Sequence, residues 1–423
     1  MENRFKKLIF GPVRNQKGMA LLMALTAILL MTFIAMEVSY DTNVEYIVAS
    51  QQVNRLKAYY AARAGVEISL LRVLIYKKAM ASFGSQLGAN KSMLDPIWAF
   101  PFSWPPMLPD EMGSVDKDMI NSVIEESSMD TQYLATIQAE GGRIDINDLA
   151  SPIESLRKST RAQLLKLFDG QLQNNEQFGN DMAGFNFEEL LNNITDWIDE
   201  DQESLNGGGE NGAYPDLKSD FIPPNQPFKT VQELHMVAGM TDDLYRLLES
   251  RITVFGTKGI NINYANKDVL LGLDPTMTEE AADKIIARRN TPAEGGPFQN
   301  QEDFLGFAEG LGVDSDAIVK TGLPLLFESE FNFLIKATGQ FANVVREIEV
   351  VTYDFENLTE RYIGMMDKQE KEKAAGDGGD DGTGPKPGSG ATGADGKPAD
   401  DGKTETQIKM PKGRPTIVYW KEN

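Results

Sequence analysis

From Met19 to Met36 the chain carries no charged residue, and only Thr26 and Thr32 interrupt an apolar run. As a helix this stretch spans roughly 27 Å, close to the hydrocarbon thickness of a bilayer. Beyond it Val44, Ile47, Val48, Val53, Leu56, Tyr60, Ala64, Ile68 and Leu71 recur near helical spacing. The helix is therefore expected to continue through residues 37–75 as an amphipathic stalk. At 131–146 the period changes to two. Tyr133, Ala135 and Ile137 fall on one face of a strand, and a Gly-Gly turn follows. From 150 to 325 helical patterns dominate, and "PIESLRKSTRAQLLKLF" and "FNFEELLNNITDWIDE" are amphipathic. Residues 330–355 predict a β-hairpin with its turn near Gly339–Asn343. Asp367 to Pro415 is poor in apolar residues and rich in Gly, Asp, Pro and Lys, a composition that cannot offset ordering entropy and predicts a disordered linker. The closing "TIVYWKEN" is β-branched and aromatic. It predicts a last strand docked on the sheet, in competition with a frayed tail.

A sheet, a long helical block and then sheet again is the pattern of an α+β domain that carries an insertion. The chain divides into a basic leader at 1–18, a transmembrane and stalk helix at 19–75, the first part of a small antiparallel α/β domain at 76–149, and an inserted helical domain at 150–326. The second part of the sheet follows at 327–366, the linker at 367–415 and the C-terminal strand at 416–423. Within the insertion "ELHMVAGMTDDLYRLLESRI" and "VLLGLDPTMTEEAADKIIARR" form a faint repeat. In each, an apolar turn leads to Met-Thr, two acids and a helix. Thr241 and Thr278 suit N-caps, and the acids suit the positive helix end. Such units resemble helix-hairpin-helix or sterile-alpha-motif-like pairs, which often bind DNA.

Charge argues against that use. The formal net charge is −22, which repels nucleic acid and anionic membrane surfaces. There is no cysteine, hence no disulfide, thiol nucleophile or Cys-ligated metal, and the single His235 excludes multi-His metal sites. His235 lies in "VQELHMVAGM", where a packed or helix-surface histidine fits better than a catalytic one. The chain has no phosphate-binding loop. Arg4, Lys6, Lys7, Arg14 and Lys17 precede the apolar run, and Glu37, Asp41 and Glu45 follow it. The positive-inside rule then places residues 1–18 in the cytoplasm and the rest outside.

The densest chemistry lies in "DWIDEDQESLNGGGENGAYPD". Asp196 and Asp199 stand at i, i+3 near a helix end, and Asp201, Glu203, Glu210 and Asp216 follow in a loop loosened by Gly207–Gly209. Calcium accepts six to eight oxygens in adaptable geometry, and these acids are candidate ligands, although the spacing is not that of an EF-hand. A plain solvated acidic loop is the competing reading. Two carboxylates at helical spacing could also serve a glycosidase, but no aromatic-lined sugar site surrounds them, and no enzyme activity is expected. In "GININYAN", Asn261 and Asn263 are expected to cap a turn between strand and helix.

The Lys17-Gly18-Met19 junction, followed by the apolar helix, resembles the class III signal of type IV pilins and type II secretion pseudopilins. Six further stretches resemble the minor pseudopilin K (general secretion pathway protein K) family, in order along nearly the whole chain. They are "YYAARAGVEISLLRVL", "GGRIDINDL", "NNITDWIDEDQESLNGGGENGAYPD", "VQELHMVAGMTDDLYRLLESRITVFG", "GININYANKDVLLGL" and "FNFLIKATG". The resemblance implies cutting by a prepilin peptidase after Gly18 and methylation of Met19. With five basic groups and one acid removed, the mature charge would be near −26. It also implies a helical domain inserted in a pilin-like fold, calcium in that domain, an inner-membrane location with the bulk periplasmic, and a place at the pseudopilus tip with minor pseudopilins I and J. Most members of the wider pilin family have glutamate at the fifth mature position, and here that position is Met23. A carboxylate in the bilayer is costly unless paired. A subunit with nothing above it has no neighbouring ammonium to meet, so the apolar residue suits the tip. A minor pilin of a type IV pilus, or an anchored periplasmic binding module that never enters a fibre, are the alternatives.

Overall fold

The computed structural model describes residues 17–107, 114–214, 223–376 and 413–423. Helix α1 runs unbroken over Lys17–Leu87. It contains no proline, and its rise gives a rod of about 105 Å. A small sheet packs on its C-terminal half. The strands are β1 (Phe102–Trp104), β2 (Gln132–Ala139), β3 (Phe333–Phe341), β4 (Val344–Thr352) and β5 (Ile417–Glu422), in that spatial order. Every neighbouring pair is antiparallel.

The expected strand and hairpin are both present. Tyr133, Ala135 and Ile137 are buried on one face of β2, and β3 turns into β4 at Ala342–Asn343. Ala62, Val66, Leu70, Val73, Tyr76 and Met80 of α1 interlock with Ala135, Ile137, Phe333, Ile335, Ala337, Ile348 and Val350 of the sheet. The approach is close enough that a Cβ at Gly339 would overlap the Ala58 carbonyl oxygen and the Ala62 nitrogen. The C-terminal run docks as β5 rather than fraying.

Between β2 and β3 the chain leaves the sheet and builds a second core. Its main helices are α2 (Glu154–Asn174), α3 (Phe187–Ile198), α4 (Asp242–Glu249) and α5 (Glu279–Asn290). Leu164, Phe168, Leu191, Ile194, Leu244, Leu248, Ile285 and Phe304 are each at most 1% exposed within it. Thr241 and Thr278 cap α4 and α5, accepting from the Leu244 and Ala281 amides. Two short parallel strand pairs, Ile144–Asp145 with Ile252–Thr253 and Ile260–Asn261 with Leu325–Leu326, tie this domain together.

Three expectations need correction. The stalk does not end at 75 but continues to Leu87, because Lys77, at the apparent end of the apolar face, is buried in an ion pair with Asp354 at 2.9 Å. Residues 141–149 do not belong with the sheet, since Ile144, Ile146 and Leu149 lie in the core of the insertion. The segment from Asp367 is not linker throughout. Helix α6 covers Phe355–Gly376, and Gln369 accepts from the Glu154 amide at the start of α2. Residues 377–412 lie outside the described ones. As expected, Asn261 and Asn263 brace the turn between strand and helix, reaching the carbonyls of Glu328 and Phe298, and Asn266 caps the helix that follows. His235 is half-exposed and stacks on Tyr245 at 3.8 Å.

Candidate functional site

The acidic loop begins where α3 ends. Trp197, in the last turn of α3, stacks parallel to Phe228 with ring centres 6.0 Å apart and lies 6.4 Å from Tyr214. These contacts draw the two flanks of the loop together. Asp196 is 3% exposed and serves the loop backbone: it accepts from Ser204 Oγ at 2.8 Å and from the Leu205 amide at 3.1 Å. Gly207 and Gly208 take φ of +94° and +86°, which lets the chain reverse at once. Ser204 then donates its amide to the Gly208 carbonyl, and Glu203 bridges Gly209.

The reversal brings Asp199, Asp201 and Glu210 together, with one oxygen from each within 4.8 Å of the others. Among the described residues no Lys or Arg forms an ion pair with any of them. Asp199 Oδ1, both carboxylate oxygens of Glu210 and Asn225 Oδ1 are buried without a hydrogen-bond donor. Burial, then the charges of Asp201 and Asp196, pushes the Asp199 carboxyl up to about 6. Burial, then the charges of Asp199 and Asp196, pushes Glu210 up to about 7. Carboxylates held this close without a cation repel one another, and buried acceptors without donors are costly. An oxygen-seeking divalent cation removes both penalties, and the donor set is all oxygen. Asp199, Asp201 and Glu210, with Asn225 Oδ1, are the groups that could hold it.

Of the six acids singled out in the sequence, the fold therefore converges three. Asp196 holds the loop from behind, the Glu203 side chain is exposed, and Asp216 lies outside the described residues. Asn225 was not read from the sequence. It has φ +48° within "PPNQPF" and donates its amide to the Asp201 carbonyl. An asparagine between prolines is the one signal that could have marked it, because asparagine tolerates the left-handed region.

At the other end of the molecule the apolar part of α1 is wholly uncovered. An 18-residue window has mean hydropathy 2.5, and none of it is buried in the chain. Thr26 and Thr32 return their hydroxyls to the carbonyls of Leu22 and Ile28, so they bring no unsatisfied donor into this surface. Met23 is 59% exposed among Met19, Leu22 and Leu25. Gly18 lies in the first turn of α1, with nothing within 4 Å of where a Cβ would stand.

Two consecutive parts of the chain match models of the family described as type II secretion system (T2SS), protein K. The first covers residues 142–257 and the second 260–324. The type II secretion system protein K of Dickeya chrysanthemi is 30% identical over 129 residues, 29% of this chain and 34% of that one. That of Klebsiella pneumoniae is 30% identical over 70 residues, 16% of this chain and 22% of that one. The chain thus spans about a third or less of the length of these curated relatives. A chain in the crystal structure of the GspK-GspI-GspJ complex of the enterotoxigenic Escherichia coli type 2 secretion system aligns with a TM-score of 0.48 and 18% identity, over 73% of this chain and 94% of that one. The first family match opens at the turn after β2 and the second closes just short of β3, on the inserted domain built above. With the curated relatives beside them, these matches show that the inserted domain is similar to the type II secretion system protein K family.

Proposed function

We propose that the protein is a minor pseudopilin at the tip of a type II secretion pseudopilus. Its task in this reading is assembly rather than catalysis. The observation that carries the reading is the continuity of α1. One rod has a wholly exposed apolar half and, without a break, a half that forms the spine of the sheet domain. Such a rod can be stored in a bilayer and later packed beside other rods. A prepilin peptidase would cut between Gly18 and Met19 and methylate the new N-terminus. The leader would face the cytoplasm, and the two folded domains the periplasm, on the inner membrane. The tip would form with minor pseudopilins I and J. Met23 fits a subunit with no neighbour above it to supply an ammonium.

Calcium is the cation proposed for the acidic loop. Asp199, Asp201 and Glu210 would supply carboxylate oxygens and Asn225 an amide oxygen. Bound there, it would fasten the loop after α3 to the segment that carries Asn225. The support is the set of buried oxygens without donors and the absence of an ion-pair partner among the described residues.

Intact mass tests the processing. Protein extracted from native membranes should have the mass of a chain beginning at Met19 with one added methyl. A chain that still begins at Met1 would be a static anchor and would overturn the fibre reading.

A further inference from the structure

Strand β5 is joined to the sheet in an unusual way. It pairs antiparallel with β4, from Ile348 opposite Glu422 to Thr352 opposite Ile417, with an irregularity at Val351/Thr352. Hydrogen bonds continue past both ends, from the Tyr353 amide to the Thr416 carbonyl and between Glu347 and Asn423. Yet residues 353–416 separate the two strands, where hairpins of this kind use about 2–5 residues. No tight turn imposes the register. Between Asp377 and Thr406 the sequence has no aliphatic residue larger than alanine except proline, so it carries little that could guide the strand to its place.

Recognition must then come from the strand itself, and its side chains are divided between two seats. Ile417 and Trp420 pack on the core between sheet and stalk. Tyr419 faces the other way, with its ring 5.8 Å from Phe255 of the inserted domain. Polar contacts fix both ends. Glu422 accepts from Tyr59 Oη at 3.2 Å and from its own neighbour Trp420 Nε1 at 2.8 Å, and Arg414 pairs with Glu67 at 3.1 Å. Main-chain bonds along a sheet edge, with alternate side chains in distinct seats, are the means by which sheets capture extended peptides.

We propose that the β4 edge is a peptide-binding site for an extended segment bearing an adjacent Tyr-Trp pair, filled here in cis by the chain's own C-terminus. The tail is a separable clasp. It touches α1 at Tyr59 and Glu67, the sheet at β4, and the inserted domain at Phe255, so its docking holds that domain against the stalk. Releasing it would leave β4 as an open edge able to accept a strand of the same chemistry.

The test uses the full chain in detergent with a specific protease site between Gly390 and Ala391. After cutting, the tail fragment should stay bound through gel filtration. An excess of synthetic peptide corresponding to residues 413–423 should displace it, and peptides with Trp420→Ala or Tyr419→Ala should need at least tenfold more. The proposal fails if the fragment separates on cutting, if it leaves only under conditions that unfold the sheet, or if the substituted peptides compete as well as the native one.

Discussion

Glu210 is 2% exposed, and neither of its carboxylate oxygens has a donor. Its folded pKa of about 7, and that of Asp199 at about 6, lie above ordinary unfolded values near 4. The sign follows from linkage. Below pH 4 both groups are protonated, folded or unfolded, and neither costs the metal-free protein stability. As the pH rises through about 6 and about 7, the folded chain must ionise them against burial and mutual repulsion, and stability is lost. The melting temperature in chelator should therefore fall between pH 4.5 and 7.5, and calcium should raise it most at the upper end. Glu210→Gln should flatten the metal-free slope, because one like charge is gone and the introduced amide can donate to Asp199 Oδ1. The same variant should lose most of the calcium-induced rise. Thermal unfolding scans in chelator and in calcium check both outcomes, and an unchanged slope would remove Glu210 as their source. Asp196→Ala should behave differently. It removes the hydrogen bonds by which a buried carboxylate holds the turn at Ser204 and Leu205, so it should cost about 1–3 kcal/mol with or without calcium.

At the scale of elements, the close contact between α1 and β3 is the most exposed to a single change. Gly339→Val forces a side chain into the backbone of the helix at Ala58 and Ala62, and neither backbone can retreat without opening the core. The inserted domain has a core of its own, centred on residues such as Phe168, Leu191 and Phe304. Calorimetry should therefore show the sheet domain melting early or missing, while the transition of the inserted domain survives. A single shared transition, shifted as a whole, would mean that the two cores do not unfold separately.

Much at this scale was legible in the sequence, because it depends on local spacing. Period two over Tyr133–Ile137, the hairpin turn and the caps at Thr241 and Thr278 were readable for that reason. What was missed depends on partners far along the chain. Lys77 looks like the end of an apolar face until Asp354 neutralises it. The charged run after Asp367 looks unfoldable until Gln369 is seen at the start of α2. The acidic loop was visible as a concentration of carboxylates. Which three would converge depended on the reversal at Gly207–Gly208 and on Asn225, which no helical or strand period singles out.

For the whole molecule, the decisive residue is small. Met23→Glu places a carboxylate five residues into the proposed mature chain. Near the end of the apolar run it can reach the interface, so insertion should survive. In the proposed tip position no ammonium from a subunit above would meet it, so secretion should fall while membrane content stays normal. Comparing secreted protein with the membrane level of the variant is the measurement. Normal secretion would undercut the assignment to the tip.

The register of β2 against β3 has a mechanical consequence. Ala139 stands opposite Phe333, so the chain leaves the sheet and returns to it at neighbouring points on one end. The covalent chain of the inserted domain is therefore joined to the sheet at a single corner, whatever its other contacts. A load carried along α1 and its sheet does not have to pass through the covalent chain of that larger domain. The rod can thus be pushed or drawn without pulling its passenger apart, and the passenger could be trimmed to a short turn with the strand pairing beneath it kept.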